Sequence, residues 1–254
     1  MIYAPRNRWT AALIHLAISL LLVGLVWLAM LQAWFPDGLV EVAGMSRFVL
    51  LLLGIDIAIG PLITLLVFKP GKPKLKLDLA LIAALQLAFF AYGLHAIWQT
   101  RPVYLVGVVD RLTLVFANQI ESDAKSPPLP VGRPKLVGAR PPKDAAERQA
   151  VIFATMSGGS DIDMRPGYYV PYPQVAPELR QRARALTTLP LSTTEQTKAF
   201  DAARRGGLTP ESALALPLMS SRKVGLAILA PDDLRPVRIV GLDGFEIFGR
   251  KSNK

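Results

Sequence analysis

The chain has no cysteine, which excludes a disulfide framework, a thiol nucleophile and a thiolate metal site, and leaves the redox compartment open. Histidine is nearly as scarce. His15 and His95 are the two present, and both lie in apolar segments, so the second half of the chain lacks the commonest general base and the commonest metal ligand. Ser-His-Asp hydrolysis and most zinc chemistry are excluded there; neither an enzyme nor a cofactor or metal is expected. Charge is thin in the first hundred residues. Seven Lys/Arg and four Asp/Glu precede Arg101, against 22 and 15 from Arg101 onward, so the two parts meet different solvents. Of the net charge of +10, the tail holds +7, mildly attractive to anionic lipid headgroups or an acidic partner. Its basic residues are scattered, without a zinc-finger, RRM or KH pattern or a basic stripe with interleaved aromatics, so nucleic acid is not expected as a partner.

What the first hundred residues do have is long apolar runs. The first (AALIHLAISLLLVGLVWLAML) lies within 9–35, the second (SRFVLLLLGIDIAIGPLITLLVF) covers 46–68, and the third (LDLALIAALQLAFFAYGLHAIW) covers 77–98. Each reaches the roughly 20 residues that cross about 30 Å of hydrocarbon. The first is too long for a signal-peptide core and lacks an A-x-A cleavage pattern, so it reads as an uncleaved anchor. Trp9, Trp34 and Trp98 stand near span ends, as an aromatic belt places them. Arg6 and Arg8 precede the first span, and Lys69, Lys72, Lys74 and Lys76 crowd the loop between the second and third, whereas the first loop has only Arg47. The positive-inside rule therefore puts the N-terminus and the second loop in the cytoplasm, and three spans carry the tail to the opposite, periplasmic side of a bacterial inner membrane.

Inside the second span an ionised Asp56 costs at least about 2.5 kcal/mol, so it is neutral or partnered. Pro61 cannot donate its backbone N–H, and GIDIAIGP reads as a kink with a freed carbonyl. Asp56 is thus either a proton or ligand site or, the favoured reading, a polar clasp between helices. Counted from the span centres, Asp56 lies level with Gln86, an interhelical pair worth about 1 kcal/mol, while His15 and Thr64 share a depth nearer the cytoplasmic face. His95 falls near the outer face.

The tail opens with a hairpin: VYLVGVV and LTLVFA flank DR after the helix-ending Arg101-Pro102. SPPLPVGRPKLVGARPP follows as a surface loop or edge segment. Helical patterns cover 143–156, 177–188 and 193–205, and VGLAILA and VRIVGL around PDDLRP mark a second hairpin. The fold class is therefore membrane α-helical with three transmembrane helices (1–100), followed by an α+β soluble domain (101–254). SGGSDID, at 157–163, lacks the ending of a phosphate-binding loop and reads as a plain loop. PGYYVPYPQ, at 166–174, gathers Tyr168, Tyr169 and Tyr172 among prolines, as either a rigid aromatic turn packed on the core or a recognition surface. RQRARA, at 180–185, reads as a solvated basic face or, second, a headgroup contact.

IHLAISLLL, LLLGIDIAIGPLITLLVF, KLKLDLALIAALQLAFFAYGL and RPVYLV…VDR together, over residues 12–117, resemble the TfpX/TfpZ type IV pilin accessory proteins, also called FimB-like. The resemblance implies an inner-membrane protein that assists type IV pilus biogenesis by acting on the major pilin, and it transfers no catalytic residue. A pilin waiting in the membrane shares the orientation deduced here, and pilins carry an acidic residue early in their apolar helix. The expectation is a non-enzymatic, chaperone-like partner of pilin. His15 with Thr64 would meet the pilin acid, and Tyr104, Tyr168, Tyr169 and Tyr172 would face the pilin head; the alternative role of His15 is a bond to another span. A small proton- or solute-coupled protein centred on Asp56 and a scaffold of the pilus machinery are the competing readings, and Asp56→Asn separates transport from the rest.

Overall fold

The computed structural model describes residues 7–44, 46–121 and 126–250, without the side chains of 46–53, 55 and 56. In chain order its helices and strands are α1 (Arg8–Trp34), α2 (Leu39–Ala43), α3 (Ser46–Val67), α4 (Leu75–Gln99), β1 (Pro102–Val108), β2 (Arg111–Phe116), β3 (Lys135–Ala139) and α5 (Ala145–Met156). They continue with β4 (Tyr169–Val170), α6 (Ala176–Arg182), β5 (Arg184–Ala185), α7 (Thr193–Arg205), β6 (Leu214–Ser220), β7 (Val224–Leu229), β8 (Pro236–Val240) and α8 (Gly244–Gly249). They fall into two compact units, Met1–Leu31 with Met45–Thr100, and Gln32–Gly44 with Arg101–Lys254.

The first unit is helical. α1 and α4, of 27 and 25 residues, are long and apolar enough to cross a membrane, and the described apolar stretch of the 22-residue α3 runs over Ile57–Val67. No local signal breaks α1: it holds neither proline nor a charge after Arg8. Leu13, Leu21, Leu66, Leu81 and Leu87 turn more than half of their surface outward, an apolar exterior that suits hydrocarbon and not water. Pro61 is buried inside α3. Beside it, Gly60 takes the side chain of Gln86 against its backbone, and a methyl group there would overlap the Gln86 amide.

The second unit is an α/β domain on a mixed sheet in the order β4-β3-β1-β2-β6-β7-β8, with β5 pairing an end of β6. β1 runs parallel to β3 and β2 to β6; the other pairs are antiparallel. The first hairpin turns at Val109-Asp110, one residue before the expected DR, because Val108 pairs with Arg111. That register sets Leu105 opposite Leu114, both buried; a slip of one residue would exchange the faces of the strand. Val109 adopts φ +45° to make the turn. The second hairpin, β7–β8, joins the two runs the sequence marks.

Both faces of the sheet are covered. Ala199, Ala202 and Ala203 of α7, with Ile247 of α8, pack on Ala215, Leu226, Ile228 and Val240. Val151 of α5 and Ile162 pack on Val106, Val115 and Val137. On the reverse of β1 and β3, Val175 and Leu179 lie over Gly107 and Gly138, where side chains would collide with them. α7 begins with a capping box in which Glu195 N donates to Ser192 Oγ and Ser192 N to Glu195 Oε2. Arg250 forks onto both Glu195 oxygens at 2.8 and 3.1 Å, and this contact, with the Ser192 N–H, holds the Glu195 carboxyl down at about 2.

The helical pattern over 177–188 is corrected: the helix ends at Arg182, and Arg184 and Ala185 pair with Ala215 and Leu214 as β5. An available sheet edge outweighs local propensity there. Residues 32–44, expected as the end of the first span and the short loop after it, form a strap within the second unit. Phe35, Leu39, Val42 and Ala43 are buried, Ser220 Oγ donates to Val42 O at 2.9 Å, Arg222 Nη1 to Ala43 O at 3.1 Å, and Gly241 N to Glu41 Oε2 at 2.8 Å. Trp34 Nε1 donates to Val131 O. Burying side chains of this size contributes about 1.5–3 kcal/mol each.

Candidate functional site

Two of the polar residues singled out in the apolar spans meet within the first unit. His15, on α1, meets Thr64, on α3, with Nδ1 and Oγ1 2.7 Å apart and Thr64 fully buried. They are brought together because a polar side chain on an apolar helix finds its partner on the neighbouring helix packed against it. Asp56 lies outside the described side chains, and Gln86 sits on Gly60, one helical turn beyond it in sequence. His95 is bonded locally, Gln99 Nε2 lying 3.4 Å from its Nε2.

Between α1 and α4 lies a hollow of about 190 Å³. His15, Ile18, Ser19, Leu22 and Val23 line it from α1, and Ala83, Gln86, Leu87 and Phe90 from α4. The spacing on each helix is i, i+3, i+4, i+7, so each wall is one helical face. The hollow is apolar apart from His15, Ser19 and Gln86. Ser19 had no mark in the sequence beyond its place one turn after His15. That offset is the signal that could have found it.

Of the four tyrosines expected to face a partner, Tyr104 and Tyr172 are buried in the core, while Tyr168 and Tyr169 are half-buried. Tyr104 and Tyr172 are 3% and 4% exposed, which corrects the reading of them as a surface. Tyr104 meets the Tyr169 ring edge-on at 4.9 Å, Tyr172 Oη donates to Leu234 O at 2.7 Å, and Tyr169 Oη donates to Asp163 O at 2.6 Å. Burial pushes the hydroxyls of Tyr169 and Tyr172 well above the usual phenol range. Tyr168 is half-buried and donates to Glu147 Oε1. The physical reason is chain economy: PGYYVPYPQ crosses the open side of β3 and β1, and aromatic rings are the side chains that fill such a gap while keeping a polar tip bonded.

SGGSDID ends in a second polar cluster. Asp163 is buried; Asp163 Oδ1 and the nearby Thr113 Oγ1 find no hydrogen-bond partner among the described residues. Burial raises the Asp163 carboxyl, the Thr113 hydroxyl acts against it, and Asp161 adds to the rise while Arg111 opposes it. A carboxyl raised in the folded state favours folding below the ordinary carboxylate range, and that contribution is lost as pH rises through the folded value. Asp163→Asn is therefore expected to raise the thermal midpoint of the full chain in detergent at neutral pH, and to show no such gain below the ordinary carboxylate range. A midpoint lowered at every pH would mean the carboxylate is held by partners.

Among the described residues, no three His, Cys, Asp or Glu gather for a metal. Apolar membrane-length helices leading into an α/β domain are the architecture of a membrane-anchored protein. Over 97% of its length, covering 98% of each relative, the chain is 29% identical to the fimbrial assembly protein of serogroup I of Dichelobacter nodosus and 28% identical to that of serogroup E1. It is 32% identical to the protein of serogroups C1 and C2 over 125 residues, 92% of that relative and 48% of this chain. The chain belongs to this family of fimbrial assembly proteins. No family model and no solved structure matches it.

Proposed function

We propose that the chain is a bacterial inner-membrane accessory protein of type IV fimbrial assembly, which crosses the membrane three times and handles the fimbrial subunit by non-covalent contact. Similarity to fimbrial assembly proteins along nearly the whole chain carries the reading. The N-terminus and the loop bearing Lys69, Lys72, Lys74 and Lys76 lie in the cytoplasm, and the α/β domain lies in the periplasm. The compactness of the second unit supports three crossings. Residues 32–44 and 101–250 share one fold, so they stand on one side of the membrane, and the chain between them crosses an even number of times. If α4 crosses, α3 crosses as well.

The chemistry of the residues suits holding and not bond-making. A subunit with an apolar anchor needs partners for any polar group it carries in lipid, and the first unit offers polar side chains on otherwise apolar walls. Deleting the chain in a fimbriated host tests the role, with surface fimbriae and membrane-held subunit measured separately. The expected result is at least about a tenfold loss of surface fimbriae with subunit still synthesised. Surface fimbriae and membrane-held subunit that both stay at parental levels would overturn it.

A further inference from the structure

The hollow between α1 and α4 presents hydrogen-bond donors where hydrocarbon would otherwise lie. His15 spends Nδ1 on Thr64. When the Thr64 hydroxyl donates to that nitrogen, the ring proton sits on Nε2, and the ring also lines the hollow. Ser19 lies one turn further along the same face. Among the described residues, neither the Ser19 hydroxyl nor Nε2 of His15 has a hydrogen-bond partner. A lipid chain filling the hollow would leave the His15 ring N–H without an acceptor, which is costly in a medium without water, whereas the Ser19 hydroxyl can turn back to the carbonyl one turn before it. Two donors on one helical face suit a single carboxylate, which only accepts and selects the Nε2–H tautomer of the ring.

The walls define the rest of the occupant. Each is an i, i+3, i+4, i+7 stripe of mainly apolar residues, the shape into which the apolar face of another helix lies. His15 and Ser19 stand seven and eleven residues beyond the start of α1, roughly 10–16 Å along the helix. We infer that this hollow docks one apolar membrane-spanning helix bearing a single carboxylate about a third to a half of the way across, bonded by His15 and Ser19. The inference rests on the assembly reading above and moves the docking face from the α1–α3 side, where Thr64 already occupies His15, to the α1–α4 side.

The test uses the full chain in lipid nanodiscs with a photo-crosslinker at position 22 or, separately, at position 90. The probes are 22-residue leucine-alanine peptides carrying one Glu at the matching depth, or Leu in its place. Capture of the Glu peptide is expected to exceed capture of the Leu peptide by roughly three- to tenfold, the range of interhelical hydrogen bonds in lipid. His15→Leu should abolish the preference, His15→Gln should retain most of it through its amide donor, and Ser19→Ala should reduce it. Equal capture of both peptides, meaning lipid or nonspecific packing fills the hollow, would overturn the inference, as would a preference that survives His15→Leu. The fimbrial deletion is read independently. Lost fimbriae with equal capture sinks the docking and leaves the assembly role standing, whereas an intact Glu preference with both surface fimbriae and membrane-held subunit unchanged supports the docking and sinks the role.

Discussion

Gly38→Ala is expected to lower the thermal midpoint of the full chain in detergent by roughly 6–12 °C, about 3 kcal/mol in a unit of this size. Two effects add. Gly38 holds φ +88°, and an L-residue in that region incurs about 1–2 kcal/mol. A Cβ at Gly38 would also drive into the Ile239 backbone carbonyl, so β8 or the strap has to move. Moving the strap exposes Phe35, Leu39 and Val42 and leaves the Ser220 hydroxyl and the Arg222 guanidinium without the carbonyls of Val42 and Ala43 that they reach in the folded domain. Gly207→Ala is the matched control: its φ is +79° but nothing lies within 4 Å of the added carbon, so it meets strain alone. Equal midpoints for the two variants would show that the strap adds nothing to the stability of the domain.

The second large effect is all-or-none. Because the chain has no cysteine, a single introduced thiol reports its own side of the membrane. Cysteines replacing Glu41, in the strap, and Gln181, on α6, are expected to react with an impermeant maleimide in cells whose outer membrane has been opened. A cysteine replacing Gly71, in the loop between α3 and α4, should react only after lysis. The strap and the α/β domain share a core, so their two labels stand or fall together. Opposite behaviour at 41 and 181 would mean that the second unit does not form as one body in the membrane. Labelling at 71 together with 181 would mean that α4 does not cross, and the proposed access to a membrane-held subunit would go with it.

Much of the candidate site was legible because it depends on depth, and depth follows from counting along a straight helix. His15 and Thr64 were paired by that count and stand 2.7 Å apart. Which side of His15 remained open was not legible, because rotation of α1 about its axis leaves its depth unchanged and is decided by the helices around it. Only the packed bundle puts Ser19 and Gln86 around the same hollow as His15. The tyrosines were open to two readings, because an aromatic cluster among prolines has the same composition whether it covers a core or faces a partner; the sheet beneath decides, and it buries Tyr104 and Tyr172.

By itself the sequence determined what local forces determine. Uninterrupted apolar runs made α1 and α4, the Ser192–Glu195 box began α7, and the apolar runs VGLAILA and VRIVGL around the turn PDDLRP made β7 and β8. Tertiary structure alone decided what rests on partners far along the chain. Val42 and Ala43 are buried by residues some 180 positions away, and no pattern within LVEVA announces it. β6 carries Pro217, which argues against a central strand, yet it lies between β2 and β7. The fold accommodates it because β5 pairs residues 214 and 215 and β2 pairs residues 218 to 220, so the proline falls in the gap between them. On its other side Pro217 is paired with Leu226 of β7, so the gap lies on the β5 and β2 edge alone, and which neighbours a strand has is settled by the assembled sheet.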